Sequence, residues 1–268
     1  MFKWIKKGSI RYLMLEEFEE HGARAYFTSR LGGVSTNGYS SLNMGLHTLD
    51  DNENVLTNRK YISDALNIDH NKLTAGEQVH GNQVYVVSQE DKGSGALDYE
   101  NSVKGVDALI TDIKDLPLVS FYADCVPLFF LDPVQKVGGL AHAGWKGTVS
   151  KIAIKTLDKM TEQFNSSPEQ CMIGIGPAIS GVNYEVDDNL ANKFRETFDF
   201  HKEVCEKKKN GIYLLDLPKT NYMMLCKAGV RPENIINSSM CTYDLKEYFY
   251  SYRRDNGKTG RMASIFVL

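Results

Sequence analysis

The sequence predicts an α+β fold in which mixed β-sheets are layered with helices in a single domain. Short apolar, β-rich runs alternate with amphipathic stretches, and the two kinds of segment follow no regular βαβ order. No Pro/Ser-rich linker, internal repeat or low-complexity tract divides the 268 residues. The composition, 42% hydrophobic and 24% charged, is that of an ordinary globular protein. We therefore expect one domain over residues 1–268.

Ten short runs have the apolar, β-branched and aromatic pattern of strands. Their bounds are 25–29, 83–87, 108–111, 118–122, 126–131, 137–143, 171–175, 213–215, 235–239 and 264–268. Because helical segments interrupt these runs irregularly, they favour mixed sheets over a regular βαβ alternation or an all-strand meander.

Three segments between the strands repeat apolar residues at helical spacing and predict helices that face the core. The repeated positions are Val55, Arg59, Ile62 and Leu66 in the first, Val149, Ile152, Ala153, Leu157, Met160 and Phe164 in the second, and Leu190, Phe194 and Phe198 in the third. The second helix is expected to begin near Thr148.

Charge and apolar content exclude several classes of function. Lysine and arginine number 31 against 34 acidic residues, a formal charge of −3 without the basic excess of nucleic-acid-binding proteins. No apolar run approaches the roughly 18 residues that cross a bilayer, and the lysine-rich start lacks the apolar segment of a signal peptide. The five cysteines form no CxxC pair. We expect a cytoplasmic protein that binds neither nucleic acid nor membranes.

Three residues with metal-binding side chains interrupt the apolar runs near expected strand ends: His80, Cys125 and His142. Side chains at strand ends beside glycine are well placed to face a cleft. Imidazole and thiolate suit zinc, whose catalytic sites commonly use three protein ligands and keep a fourth position open. Alternatively, each histidine is a hydrogen-bonded structural residue and the cysteine is a buried thiol.

Substrate-binding candidates lie in three glycine-rich loops. The turn at 144–148 would present free backbone N–H groups to an anion such as phosphate, with Lys146 beside them. Arg30 and Asn43 are further polar groups in loops that contain glycine. For each of the three loops, an ordinary turn without a ligand is the alternative.

Nine short segments together suggest a family. They are Thr28-Ser-Arg-Leu-Gly-Gly-Val-Ser, Leu42-Asn-Met-Gly, Gln78-Val-His-Gly, Ala123-Asp-Cys-Val-Pro, Ala141-His-Ala-Gly-Trp-Lys-Gly-Thr, Ile175-Gly-Pro-Ala-Ile-Ser, Asn183-Tyr-Glu-Val, Phe249-Tyr-Ser-Tyr-Arg-Arg and Gly260-Arg-Met-Ala. In this order they resemble the YfiH-like, laccase-domain family over nearly the whole chain. One segment departs from the family pattern: His47-Thr-Leu-Asp-Asp stands where members usually carry a His-Val-Gly-Asp-like run.

The resemblance implies one catalytic domain with purine nucleoside phosphorylase activity, which also deaminates adenosine and cleaves methylthioadenosine. Its substrates would be purine nucleosides and phosphate. It also implies that His80, Cys125 and His142 are the metal ligands at the catalytic centre. Other descriptions of the family are polyphenol oxidase and peptidoglycan editing factor. Zinc is the expected metal, and copper is the second choice because the chain has no His-x-His pairs for a multicopper cluster.

Two other functions remain open at this stage. Cys125 and His142 could be the nucleophile and base of a cysteine hydrolase that acts on amides or muropeptide precursors. The chain could instead be a regulatory protein with a structural metal site. For the phosphorylase, the sequence does not choose the proton donor among Asp124, Glu77 and a metal-bound water, and it leaves the oligomeric state open.

Overall fold

A computed structural model of the chain describes residues 1–208 and 211–268. Its strands are β1 Phe2–Lys7, β2 Ile10–Leu15, β3 Arg24–Thr28, β4 Thr74–Ala75, β5 Val84–Val86, β6 Ala108–Thr111, β7 Leu118–Tyr122, β8 Val126–Asp132, β9 Val137–Ala143, β10 Met172–Ile175, β11 Glu185–Val186, β12 Cys205–Lys207, β13 Tyr213–Leu215, β14 Ile235–Asn237 and β15 Met262–Val267. Its helices are α1 Glu16–Glu19, α2 Asn52–Leu66, α3 Trp145–Val149, α4 Ile152–Phe164, α5 Asp188–Thr197, α6 His201–Val204 and α7 Leu217–Lys227. These elements form mixed sheets layered with helices, as the sequence predicts.

Two six-stranded sheets make up most of the structure. The first has the order β1-β2-β3-β15-β7-β4 and is antiparallel except for the β4–β7 pair. The second has the order β14-β10-β8-β9-β6-β5, with parallel pairs at its two edges. A small sheet, β11-β13-β12, packs with the helices. Both large sheets are therefore mixed.

The core consists of three apolar layers that follow from the alternation of side chains along the strands. Leu13, Phe27 and Phe266 of the first sheet pack with Phe129 and Leu140 of the second. The opposite face of the second sheet packs against α4 and α7, and the opposite face of the first sheet packs against α2. The two sheets thus lie face to face, with helices on both outer sides.

Strand register in the second sheet brings distant residues to one end of that sheet. In the antiparallel β8–β9 pair, Pro127 lies opposite His142, so Cys125 emerges next to the end of β9. In the β6–β9 pair, Ala108 lies opposite Ala141, so Asp107 comes beside His142. Segments far apart in the chain therefore meet where β8 and β6 begin.

The ten predicted strands all occur, with end points that differ by up to two residues. The sequence prediction missed five strands, of which β4, β11 and β12 have only two or three residues. The other two, β1 and β2, have a lysine-rich beginning that resembles the start of a signal peptide. In the structure these segments form an antiparallel hairpin at the edge of the first sheet. An edge strand rich in lysine resists pairing with another chain, which explains the unusual composition.

The helical segment expected from near Thr148 begins slightly earlier, at Trp145, and consists of two helices, α3 and α4. Lys151 between them has a left-handed backbone with φ 60°. The apolar spacing continues across this break, so spacing alone could not reveal it. None of the helices in the described part of the chain is both long enough and apolar enough to cross a bilayer.

Candidate metal centre and cavity

A cavity of about 520 Å³ opens where β8 and β6 begin. This volume lies in the range of about 300–1,000 Å³ that is typical of small-molecule sites. Its wall is formed by His47, Gln78, His80, Phe121, Ala123, Asp124, Cys125, His142, Trp145, Lys146, Ile179, Tyr184, Leu217, Tyr252, Arg253 and Arg261. The cavity therefore combines titratable groups, cations and aromatic rings.

The structure brings the three predicted ligands together in this wall. The ligand atoms of His80, Cys125 and His142 all lie within 4.8 Å of one another, and we call these residues the His-Cys-His group. His142 is on β9, Cys125 directly precedes β8, and His80 lies in the loop between β4 and β5. The three come from separate segments, so the fold assembles the group.

Asp107, which the sequence prediction did not identify, holds both histidines in place. Its carboxylate accepts hydrogen bonds from the backbone N–H groups of Val79, His80 and Gly81, at 3.2, 3.0 and 2.6 Å. It also lies 2.9 Å from Nδ1 of His142. A carboxylate at Nδ1 favours the tautomer that leaves Nε2 free to act as a ligand. One buried side chain thus orients two members of the group.

Two backbone features make the approach of these residues possible. His80 has a left-handed backbone with φ 59°, a conformation that the three hydrogen bonds to Asp107 stabilise. A Cβ at Gly144 would lie 2.9 Å from Sγ of Cys125 and 3.1 Å from Cδ2 of His80. Glycine at position 144 therefore leaves the space that the cysteine and histidine side chains occupy.

The members of the group shift one another's pKa values. Burial by itself raises the pKa of the Cys125 thiol, but the charge of His142 and hydrogen bonds with both histidines bring it down to about 6. Burial lowers the pKa of His142, whereas the Cys125 thiolate and the Asp107 carboxylate raise it to about 9. Opposite charges at close range favour both ionised forms. The site therefore favours a thiolate beside a protonated imidazole.

The donor set fits a metal ion. Two imidazole nitrogens and one thiolate sulfur are borderline and soft donors, which suit zinc and copper better than magnesium or calcium. Three protein donors in the wall of an open cavity leave room for a further ligand, as in catalytic sites. The chemistry of these donors thus indicates a transition metal.

The three predicted substrate-binding residues lie in different places. Lys146 lines the cavity, with its amine 5.6 Å from the ring of Trp145. Arg30 and Asn43 are not among the lining residues. The Arg30 guanidinium donates to Ser40 and packs over Tyr250. Both ends of the Asn43 amide are hydrogen-bonded within the protein. The structure therefore brings Lys146, but not the other two, to the His-Cys-His group.

Asp124, one of the candidate proton donors, is fully engaged with a distant segment. Its carboxylate accepts hydrogen bonds from the hydroxyls of Thr242 and Ser251, at 2.6 and 2.9 Å. It also accepts one from the backbone N–H of Arg253 at 2.7 Å. These contacts fix the loop that carries part of the cavity wall. Glu77, the other carboxyl candidate, accepts from the Gly105 N–H and is absent from the lining.

His47 and Arg261 also line the cavity, although the sequence analysis assigned them no function. The His47 ring lies 5.8 Å from that of Phe121. Burial and the charges of Arg261 and Arg59 lower the pKa of His47, which keeps its ring neutral. Arg261 lies in one of the segments that resemble the family, whereas His47 begins the segment that departs from the family pattern. Asp107 lies in none of these segments, and only strand register reveals it.

Comparisons with known proteins place the chain in a family. The family model described as multi-copper polyphenol oxidoreductase laccase matches residues 24–268. Purine nucleoside phosphorylase YlmD of Bacillus subtilis (strain 168) is 42% identical over 240 residues, which are 90% of this chain and 86% of that protein. Purine nucleoside phosphorylase YlmD of Geobacillus stearothermophilus is 38% identical over 244 residues, which are 91% and 89% of the two chains.

A solved structure extends the similarity to the fold. The crystal structure of the Bacillus licheniformis hypothetical protein YfiH covers 100% of this chain and 98% of its own, with a TM-score of 0.95 and 38% identity. The region matched by the family model contains all members of the His-Cys-His group. The chain therefore belongs to the family described as multi-copper polyphenol oxidoreductase laccase, the YfiH-like, laccase-domain family that its motifs resemble.

Proposed function

We propose that the protein is a zinc-dependent purine nucleoside phosphorylase that acts on adenosine, inosine and methylthioadenosine and also deaminates adenosine. The observation that carries the proposal is the His-Cys-His group in the wall of a cavity that also contains aromatic rings and cations. Two relatives that are 42% and 38% identical are named purine nucleoside phosphorylases, which supports the same activity here.

The cavity offers suitable contacts for both parts of a nucleoside. Four aromatic rings, those of Phe121, Trp145, Tyr184 and Tyr252, line the cavity, and aromatic side chains of this kind can stack on a purine. The guanidinium of Arg253 lies 4.8 Å from the centre of the Tyr184 ring, which fixes the orientation of that ring. The neutral His47 ring can hydrogen-bond to a ribose hydroxyl, whereas both ends of the Gln78 amide are already bonded to the backbone of Phe121. The wall thus positions a flat, partly polar substrate.

His80, Cys125 and His142 would hold the zinc ion, with Asp107 orienting the two histidines. Bound zinc would supply Lewis acidity and lower the pKa of a coordinated water. The neutral His47 ring lies in the same wall and can donate or accept a hydrogen bond, but its lowered pKa makes it a weak base. Because both Asp124 carboxylate oxygens already accept hydrogen bonds, we assign that residue to holding the loop rather than to proton transfer.

The test combines metal analysis with nucleoside turnover in the presence and absence of phosphate. We expect about one zinc per chain, phosphate-dependent conversion of inosine to hypoxanthine and of adenosine to adenine, and a smaller yield of inosine from adenosine. Chromatography separates these products. Equal release of base with and without phosphate would be hydrolysis and would contradict the phosphorylase assignment.

A second candidate function is supported by one specific arrangement. Cys125, His142 and Asp107 stand in the order of a nucleophile, a base and an orienting carboxylate. This order suits a cysteine hydrolase that acts on amides or muropeptide precursors without a metal.

Iodoacetamide labelling distinguishes the two functions. If Cys125 is a zinc-bound thiolate, its alkylation is slow until a chelator removes the metal, and activity falls with the chelator and returns with zinc. If Cys125 is the nucleophile, the metal-free protein stays active until it is labelled. Rapid labelling of a fully active, metal-free enzyme would replace the first proposal with the second.

A further inference from the structure

We propose that Arg261, assisted by Lys146, forms the subsite that binds the phosphate co-substrate inside the cavity. This inference rests on the proposed function, because phosphorolysis needs an oxyanion next to the nucleoside. It names the residues that select and hold the anion, which neither the fold nor the metal ligands specify.

The cavity wall carries more positive than negative charge. Three cations line it: Lys146, Arg253 and Arg261. Asp124 is the one carboxylate among the lining residues identified in the described part of the chain, and both of its oxygens already accept hydrogen bonds. The three cations outnumber the two anionic groups of the wall, the hydrogen-bonded Asp124 carboxylate and the Cys125 thiolate. Such a surface favours an anionic ligand.

The Arg261 guanidinium has N–H groups that make no hydrogen bond within the described residues. Its Nη1 donates to the backbone oxygens of Thr259 and Gly260, at 2.8 and 3.0 Å. In residues 1–208 and 211–268, no protein acceptor for Nε or Nη2 is found. These two N–H groups point in parallel and match two oxygens of a phosphate. The carbonyl contacts thus anchor one end of the guanidinium and present the other end as a two-pronged donor.

The Arg261 side chain lies in the cavity wall beside His47. A Cβ at Gly45 would lie 2.9 Å from Cγ of Arg261 and 3.1 Å from Cε1 of His47, so the arginine stem passes over a glycine beside the cavity histidine. Burial in the wall lowers the pKa of Arg261 because the cation loses water. A bound oxyanion would restore favourable interactions for this charge. The cavity wall therefore holds a partly desolvated guanidinium that a bound anion would stabilise.

Arg253 is less suited to this role, although it carries the same group. Both guanidinium groups lie over a tyrosine ring, that of Arg253 over Tyr184 and that of Arg261 over Tyr252. Arg253 is exposed, however, and is held by one carbonyl, that of Glu185 at 2.8 Å, whereas Arg261 is half-buried and anchored by two carbonyls. Lys146 has an exposed amine in the lining and can approach an anion as a flexible point charge. We therefore assign the directional contact to Arg261 and the supporting charge to Lys146.

The experiment measures binding of inorganic phosphate and of inosine, separately, to the zinc-loaded full-length protein. Equilibrium dialysis is performed on the wild type and on the Arg261→Gln, Arg261→Lys and Lys146→Met variants. Arg195→Gln is the control, because it removes one positive charge outside the cavity lining. Zinc content and circular dichroism confirm that each variant retains its metal and fold.

We expect Arg261→Gln to weaken phosphate binding at least about tenfold, which corresponds to about 1.4 kcal/mol, while inosine binding changes less than about twofold. Arg261→Lys should recover only part of the affinity, since an ammonium lacks the paired donors. Lys146→Met should have a smaller effect, and Arg195→Gln none. Wild-type phosphate affinity in Arg261→Gln, or no phosphate binding by the wild type, would overturn the subsite.

The two proposals fail in different ways. If phosphate binding depends on Arg261 but no nucleoside is cleaved, the subsite stands and the phosphorylase assignment fails. If nucleosides are cleaved in a phosphate-dependent reaction whose phosphate KM is unchanged in Arg261→Gln, the phosphorylase assignment stands and the subsite fails.

Discussion

Replacing Asp107 with asparagine tests whether one carboxylate controls the metal centre. The substitution keeps the size of the side chain and removes its charge. In the wild type, Oδ1 accepts from the His80 N–H and lies against Nδ1 of His142, while Oδ2 accepts from the N–H groups of Val79 and Gly81. All four partners act as donors in the ligand-competent tautomer. An amide, with one oxygen and one NH2 group, cannot satisfy them all.

Each orientation of the new amide damages the site in a different way. With its NH2 group towards His142, the amide favours the tautomer that has a hydrogen on Nε2, which cannot bind a metal. With its NH2 group towards Val79 and Gly81, two partly buried N–H groups lose their acceptor, which costs at most about 1–3 kcal/mol each. The loop that carries His80 is then released. We therefore expect Asp107→Asn to weaken zinc binding by about 10–100-fold.

The assay is competition for zinc with a chromophoric chelator, accompanied by thermal unfolding of the zinc-free protein. Asp132→Asn is a matched control, because this buried carboxylate uses only Oδ1, which accepts from the N–H groups of Val134 and Gln135. Its Oδ2 has no partner in the described residues. Asparagine can preserve both bonds there, so zinc affinity should not change. Wild-type zinc affinity in Asp107→Asn would refute the reasoning.

Three further predictions concern the same group. Alanine at His80, Cys125 or His142 should lower zinc content while circular dichroism stays unchanged, and full occupancy in a purified variant would remove that residue from the ligand set. Gly144→Ala should reduce zinc affinity because its Cβ would press on Sγ of Cys125 at 2.9 Å, and elemental analysis after dialysis checks this. In zinc-free protein, the ultraviolet absorbance of the Cys125 thiolate should appear as pH rises through about 6, because the lowered pKa makes the thiolate the main form of the side chain above that pH. Subtracting the Cys125→Ala titration isolates this signal, and a midpoint at the ordinary thiol pKa of about 8.5 would contradict the electrostatic argument.

Sequence patterns were sufficient for ten of the fifteen strands in the described residues, including the edge strands β5 and β14, but not for the β1–β2 hairpin or for the very short β4, β11 and β12. Strands such as β8 and β9 are buried on both faces and appear as continuous apolar runs, which are easily recognised. The hairpin of β1 and β2 has a charged, exposed strand, so its pattern resembles a polar segment. The break at Lys151 depends on one backbone angle, which leaves no trace in apolar spacing.

The candidate site could be predicted where the side chain itself carries the chemistry. Histidine and cysteine at strand ends are conspicuous, and the three that were named lie together in the structure. Aspartate and arginine are common on any protein surface, so a function for Asp107 and Arg261 becomes apparent only from the residues around them in the structure. The proximity of Asp107 to His142 follows from the pairing of β6 with β9, a long-range register that a single sequence does not specify.

The position of β15 has a consequence for synthesis of the protein. This strand lies between β3 and β7, and the N–H of Ala263 donates to Oγ1 of Thr28 although the two residues are 235 positions apart. At a translation rate of about 5–20 residues per second, β15 is synthesised roughly 10–50 s after β3. During that time the β2–β3 edge has unpaired backbone groups that can pair with other chains. Closure of the first sheet therefore requires β15, and the β3 edge stays open to pairing with other chains until that strand has been made.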